Sequence, residues 1–190
     1  MNHVEEQYDK TVFGFWVYLI TDFVLFAAYF ATYAVLQHRT FGGPPLSEMI
    51  HMPCVIGRTL ILLLGAFFAG IAGIQVHKRS RSGTIWWILL TLLCGVVFFI
   101  MQFAELQSIY QAGSGWQRSA AMSAFFNVVG VLLIHIVFAS IWTILFVIPI
   151  FRSGVDDTTV RRVTCLRMFW QFINVIWIFI FTIVYMMEVV

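Results

Sequence analysis

Four ionisable side chains, Asp22, Arg58, Glu105 and His135, stand in or at the edge of stretches that are otherwise almost wholly apolar, together with three amides, Gln102, Gln171 and Asn174. The chemistry open to such a set is narrow. An aspartate or a histidine inside an apolar helix can carry a proton, ligate a metal or fasten one helix to another. Haem ligation across a membrane needs two histidines at matched depth on facing helices, and a binuclear haem–copper centre needs more. Of the five histidines, His3, His38, His51 and His77 fall in the tail or at loop edges, and His135 alone sits well inside an apolar run. Neither centre can be built from this chain by itself. Cys54, Cys94 and Cys165 lack CxxC or CxxCH spacing, so packing is their default role. No glycine-rich phosphate loop and no Ser/His/Asp arrangement is present, which argues against a catalytic centre here.

The alternative to chemistry is adhesion. Asp22 follows Phe13 by nine residues, about 14 Å along a helix rising ~1.5 Å per residue, close to mid-bilayer. Placing a carboxylate there costs on the order of 2.5–3.5 kcal/mol on insertion scales, so it is expected to face the protein interior. Hydrogen-bonded to a neighbouring helix it would be packing glue; free to titrate it would be a proton carrier. A lone histidine such as His135 is more often a satisfied packing residue than a ligand. Gln102 and Glu105 share one face of "FFIMQFAELQSIY", and Arg58 opens the preceding run from the same side, so Arg58 and Glu105 are expected to pair. Gln171 and Asn174, one turn apart in "MFWQFINVIWIFIFTIVY", are expected to share a face as interhelical hydrogen bonders.

The elements that must position these groups follow from composition. The 190 residues are 61% apolar and 11% charged, with mean hydropathy +0.91. Soluble domains carry about 25% charged residues, so a water-soluble surface cannot be covered from this inventory. Five apolar runs are long enough to cross a bilayer, at about 13–36, 56–76, 85–106, 123–151 and 168–190. Alternation suited to a barrel is absent, so the fold expected is all-α: a five-transmembrane-helix bundle forming a single domain over 1–190. The acidic start "MNHVEEQYDK" has no small-residue cleavage site before the first run, so that span is expected to be retained. Net charge is +2, too small to argue for nucleic acid.

Lys78, Arg79, Arg81, Arg152, Arg161, Arg162 and Arg167 lie in the second and fourth loops, against Arg39, Arg58 and Arg118 in the others. By the positive-inside rule the N-terminus is cytoplasmic and Val190 periplasmic. Trp16, Trp86, Trp87 and Trp170 then mark the inner interface, and Tyr33, Tyr110, Trp116 and Tyr185 the outer one. Gly65, Ala69 and Gly73, with Ala66 and Gly70 beside them, permit close helix approach. "FGGPPLSEMIHMP" is the one loop of strong turn composition.

Several separated stretches also resemble one family. "FGFWVYLITDFVLFAAYFATYAVL", "CGVVFFIMQFAEL", "SAFFNVVGVLLIHIVFASIW" and "FWQFINVIWIFIFTIVY" are similar, in order and spacing, to the first, third, fourth and fifth helices of subunit III of cytochrome-bo-type quinol oxidases; "RTFGGPPL" fits as well. The resemblance covers roughly residues 11–190 and the five-helix form of these haem–copper terminal oxidases. It implies a multi-pass protein of the bacterial inner membrane, a non-catalytic subunit in aerobic electron and proton transport. Haem and copper would reside in the partner catalytic subunit and no cofactor in this chain. Its partners would be oxidase subunit I, the other oxidase subunits and membrane phospholipids. By resemblance Asp22 matches the family's intramembrane carboxylate, Gln102 and Glu105 its Q-x-x-E element, and His135 the second histidine of G-x-H-G-x-H. Departures stand at Leu132, where that element has its first histidine, and at Trp170-Gln171-Phe172-Ile173-Asn174, where W-H-F-x-D carries His and Asp. Arg58 stands where quinol-oxidase members often carry a glutamate. The competing reading is a small proton-coupled transporter using Asp22, against which five spans without an internal repeat weigh.

Overall fold

The computed structural model describes residues 3–42 and 49–187; the Gly/Pro-rich loop lies partly, and Val190 wholly, outside them. Five helices follow one another: α1 (His3–Leu36), α2 (Met52–His77), α3 (Arg81–Gln111), α4 (Ala120–Ser153) and α5 (Asp157–Ile180), the last continued by a π-helical turn (Phe181–Met186). All five are long and apolar enough to cross a membrane, and large apolar side chains such as Phe13, Val24, Phe67 and Ile134 point outward. In water such a surface would drive aggregation; in hydrocarbon it needs no cover.

Each helix begins before the apolar segment that predicts it. The first span, expected from residue 13, begins at His3, and the fifth, expected from 168, begins at Asp157. Backbone hydrogen bonding continues without loss into the headgroup region, where polar side chains are solvated, so hydropathy marks the hydrocarbon core and not the helix ends. Ser119 caps α4 by accepting a bond from the Met122 amide, and Gly154, at φ +83°, ends it in a conformation that only glycine adopts freely.

The fifth helix is the hub. Half of its apolar window is buried, against 17% for α1. α5 packs on α1, α2 and α4, α2 lies along α3, and among the described residues α1 packs closely on α4, α5 and the π turn. The small residues of α2 serve two neighbours: a methyl on Gly65 would stand 3.0 Å from Cys94 Cβ of α3, and one on Gly73 2.7 Å from Arg167 Cδ of α5. Gly70 meets nothing, so its side of α2 looks outward. The second and fourth connections meet at one end of the bundle. There Arg79 donates to the Val155 carbonyl at 3.0 Å and pairs with Asp157, while Arg81 reaches the Phe151 carbonyl.

Three of the expected interface aromatics are interior residues. Trp170, Tyr33 and Tyr185 are buried, whereas Trp16, Trp86, Tyr110 and Trp116 are exposed. The difference is which arc of the helix the ring occupies. Trp170 turns inward from α5, lies across Gly95 of α3 and donates from Nε1 to Thr143 Oγ1 of α4 at 3.1 Å.

Candidate functional site

Two polar clusters interrupt the apolar interior, on different sides of α5. The first joins α2, α3 and the π turn. Arg58 Nη2 donates to Glu105 Oε1 at 2.7 Å, so the expected pair forms. Gln102 Nε2 donates to Glu105 Oε2 at 2.8 Å and to Tyr185 Oη at 3.0 Å, and the Tyr185 hydroxyl in turn donates to Glu105 Oε2 at 2.7 Å. The guanidinium also lies over two rings, 5.6 Å from that of Tyr185 and 5.9 Å from that of Trp177. Trp177 is held by its own bond, Nε1 to Thr59 Oγ1 at 2.9 Å, and meets Phe98 edge-on at 4.7 Å. A carboxylate taking three bonds from three elements, beside a cation shielded by two aromatic faces, is a joint.

Arg58 and Glu105 face each other because α2 and α3 form an antiparallel hairpin whose short turn fixes relative depth. Tyr185 reaches them by another route. The π turn takes one residue more per hydrogen-bonded ring than an α-helix, which rotates the following side chains to a new face. Nothing in "FTIVYM" announces that turn, and Tyr185 is the residue of this joint that sequence reasoning misplaces. Replacing Tyr185 by Phe keeps the ring under Arg58 but removes both bonds of the hydroxyl. Interhelical bonds in membranes contribute ~0.6 kcal/mol on average and up to ~1.7, so Tyr185→Phe should destabilise the bundle by about 1–2 kcal/mol in detergent-unfolding titrations. No change in midpoint would mean that the hydroxyl carries no load.

The second cluster joins α1 and α4. His135 Nε2 lies 3.1 Å from Asp22 Oδ2, and His135 Nδ1 lies 2.8 Å from the Val131 carbonyl. A carbonyl only accepts, so Nδ1 carries a hydrogen. The other ring nitrogen, Nε2, faces the carboxyl, so the imidazole ties α1 to α4. Phe26 and Phe169 wall the imidazole, with ring centroids 5.1 and 6.3 Å away. Mutual hydrogen bonding between aromatic walls lets two ionisable groups rest inside a membrane protein.

The two amides of α5 part company. Asn174 is buried and its Oδ1 has no hydrogen-bond partner. Gln171 is exposed, and neither amide makes the expected interhelical hydrogen bond among the described residues. Three residues on a helix leave side chains about 60° apart, and the edge of the buried arc falls between these two. Arg167, which the sequence presents only as a loop cation, packs on Gly73 and leaves Nε buried without a partner. Among the described residues, no three His, Cys, Asp or Glu side chains are grouped to hold a metal ion.

No protein-family model matches the chain. Curated relatives are more informative. The chain is 39% identical over 186 residues to cytochrome bo(3) ubiquinol oxidase subunit 3 of Pseudomonas aeruginosa, an alignment spanning 98% of this chain and 89% of that protein. It is 38% identical over 179 residues to the protein of the same name from Pseudomonas putida, covering 94% and 86%. To quinol oxidase subunit 3 of Bacillus spizizenii it is 33% identical over 187 residues, covering 98% and 92%.

Proposed function

This chain belongs to the subunit 3 family of bacterial quinol oxidases, and we propose that within the oxidase it is a non-catalytic subunit that braces the catalytic one. It is a subunit of a quinol oxidase and a multi-pass protein of the bacterial inner membrane. The transporter reading built on Asp22 finds no support, since relatives matched over nearly the whole chain are oxidase subunits.

The observation that carries the bracing role is how the ionisable groups inside the bundle are engaged. Asp22 is matched to His135, and Arg58 to Glu105, Gln102 and Tyr185. Groups bonded across helices hold those helices at fixed spacing, even though Arg58 Nε and Gln102 Oε1 stay without partners. On this reading Asp22, Arg58, Gln102, Glu105 and His135 are polar anchors of a single transmembrane domain, and Asn174 is a buried amide beside them without a partner for its Oδ1. Haem and copper belong to subunit I, against which this chain packs, and phospholipids cover the remaining outward apolar faces. The arginine-rich second and fourth loops face the cytoplasm, as does the N-terminus.

Purification through a tag on this chain in mild detergent tests the role. A haem-bearing partner with quinol oxidase activity should come with it, and the chain separated from that partner should show no haem absorbance. Haem or copper bound by the separated chain would overturn the assignment.

A further inference from the structure

Arg167 of α5 lays its stem along the bare backbone of Gly73 on α2, where a methyl would stand 2.7 Å from its Cδ and 3.3 Å from its Nε. That Nε is buried without a hydrogen-bond partner, and a guanidinium N–H cut off from water is costly until something accepts from it. Among the described residues, the buried side-chain polar atoms left unpartnered are Arg167 Nε, Asn174 Oδ1, Arg58 Nε and Gln102 Oε1. Asn174 follows Arg167 by seven residues, two turns along the same stripe of α5. Arg58 belongs to α2 and Gln102 to α3. All four therefore fall on the α2/α3/α5 side of the bundle, and none where α1 and α4 meet.

Beside Arg167 that seam contains a hollow, lined by Ala69 and Ala72 of α2, Ile88 and Thr91 of α3, and Leu166 and Arg167 of α5. α2 packs on both α3 and α5, and where the three meet it offers only the methyls of two alanines, too little to fill the corner. The open space, about 10 Å³, is that of one water-sized sphere, at the lower edge of what holds a water molecule. Thr91 brings an acceptor to it. Its hydroxyl hydrogen goes to the Trp87 carbonyl at 2.9 Å, which leaves the lone pairs of Oγ1 free. No carboxylate lines the hollow, and Trp170, which borders it, has only a donor, already given to Thr143. An apolar occupant would leave Nε unmet, whereas water accepts from a guanidinium and donates to a hydroxyl at once.

We propose that the hollow is a binding site for one internal water molecule, which accepts from Arg167 Nε and donates to Thr91 Oγ1, and so links α5 to α3 toward the arginine-rich end of the bundle. Tyr185, with Gln102 and Glu105, joins α3 to the continuation of α5 at the other end. The site is internal to this chain and stands whether or not the chain braces a catalytic subunit.

A map of the intact, detergent-purified oxidase that shows ordered water tests the site first. A separate density should lie within hydrogen-bond distance of both Arg167 Nε and Thr91 Oγ1. A hollow without density in such a map, or one filled by an acyl chain, would overturn the proposal. Thr91→Val and Arg167→Met then test the link, since each keeps most of the side chain's shape and removes one end of it. With a shared water, the double variant should lose less than the two single losses combined, by roughly three- to tenfold in the folded-to-unfolded ratio, the scale of one interhelical hydrogen bond. Detergent-unfolding midpoints of the four proteins read that difference. Losses that combine independently would show that nothing spans the two groups and would likewise overturn the site.

Discussion

Replacing Arg58 by Met while Glu105 stays charged should destabilise the subunit by about 3–5 kcal/mol, the range seen when one member of a buried ion pair is removed. The size follows from what remains. Arg58 is almost wholly buried and Glu105 nearly so, with side-chain exposures of 2% and 13%. Without the guanidinium, the carboxylate keeps only the neutral donors of Gln102 and Tyr185 in a medium too apolar to solvate it. Glu105→Gln should cost less on the carboxylate side but strands Arg58, whose Nε already lacks a partner. The decisive variant is the double one. Arg58→Met with Glu105→Met removes both charges together, and replacing a buried pair by apolar groups of similar volume is often neutral. The double variant should therefore regain most of the stability lost by either single change. Unfolding midpoints in a detergent titration, read alongside the fraction of subunit retained on the purified complex, measure the cycle. If the double variant is as unstable as Arg58→Met alone, the energy lies in packing of the long side chains and the charges are incidental.

That pair was legible in the sequence for a physical reason that does not extend to the other cluster. A short turn between two helices sets their depth and makes partners predictable from distance to the turn, so Arg58 and Glu105 could be matched by counting. Asp22 and His135 are 113 residues apart, and no hairpin relates α1 to α4. Each could be placed near mid-bilayer, but which helix faced which depends on how α5 packs between its neighbours. The spans were readable because lipid imposes a length of apolar sequence. The inward or outward sense of Trp170, Tyr33, Tyr185 and Gln171 was not, because an amphiphilic ring or amide suits an interface, a core bond and a subunit contact equally well. A soluble helix betrays its orientation by keeping apolar residues to one side; in lipid that contrast is lost, since both arcs are apolar.

Trp170 offers the sharpest measure of how tightly the core is specified. Trp170→Ala should cost about 3–5 kcal/mol, as large-to-small changes at buried aromatics do. The ring spans three helices: it starts on α5, lies against the bare backbone of Gly95 on α3 and bonds Thr143 on α4. Thr143 survives the loss, because its own hydroxyl donates to the Ala139 carbonyl at 2.6 Å, so the deficit is packing more than hydrogen bonding. The converse change probes the same contact with the opposite sign of volume. A methyl on Gly95 would overlap Trp170 Cη2 and stand 2.8 Å from Cζ3. Helix propensity favours Ala over Gly by roughly 0.5–1 kcal/mol, but overfilling a fixed site costs about 1–3 kcal/mol. The ring is held by its bond to Thr143 and cannot swing clear, so Gly95→Ala should destabilise. Gly70→Ala, on a face that meets nothing, should be neutral or mildly stabilising. The atoms in conflict belong to the far ring of the indole, which phenylalanine lacks. Adding Trp170→Phe to Gly95→Ala should therefore make the methyl tolerable, even though Trp170→Phe alone loses the Thr143 bond. Unfolding midpoints of the four variants, with the subunit held on its complex, read this coupling directly. Equal midpoints for Gly95→Ala and Gly70→Ala would show that α3 and α5 are not locked by this ring.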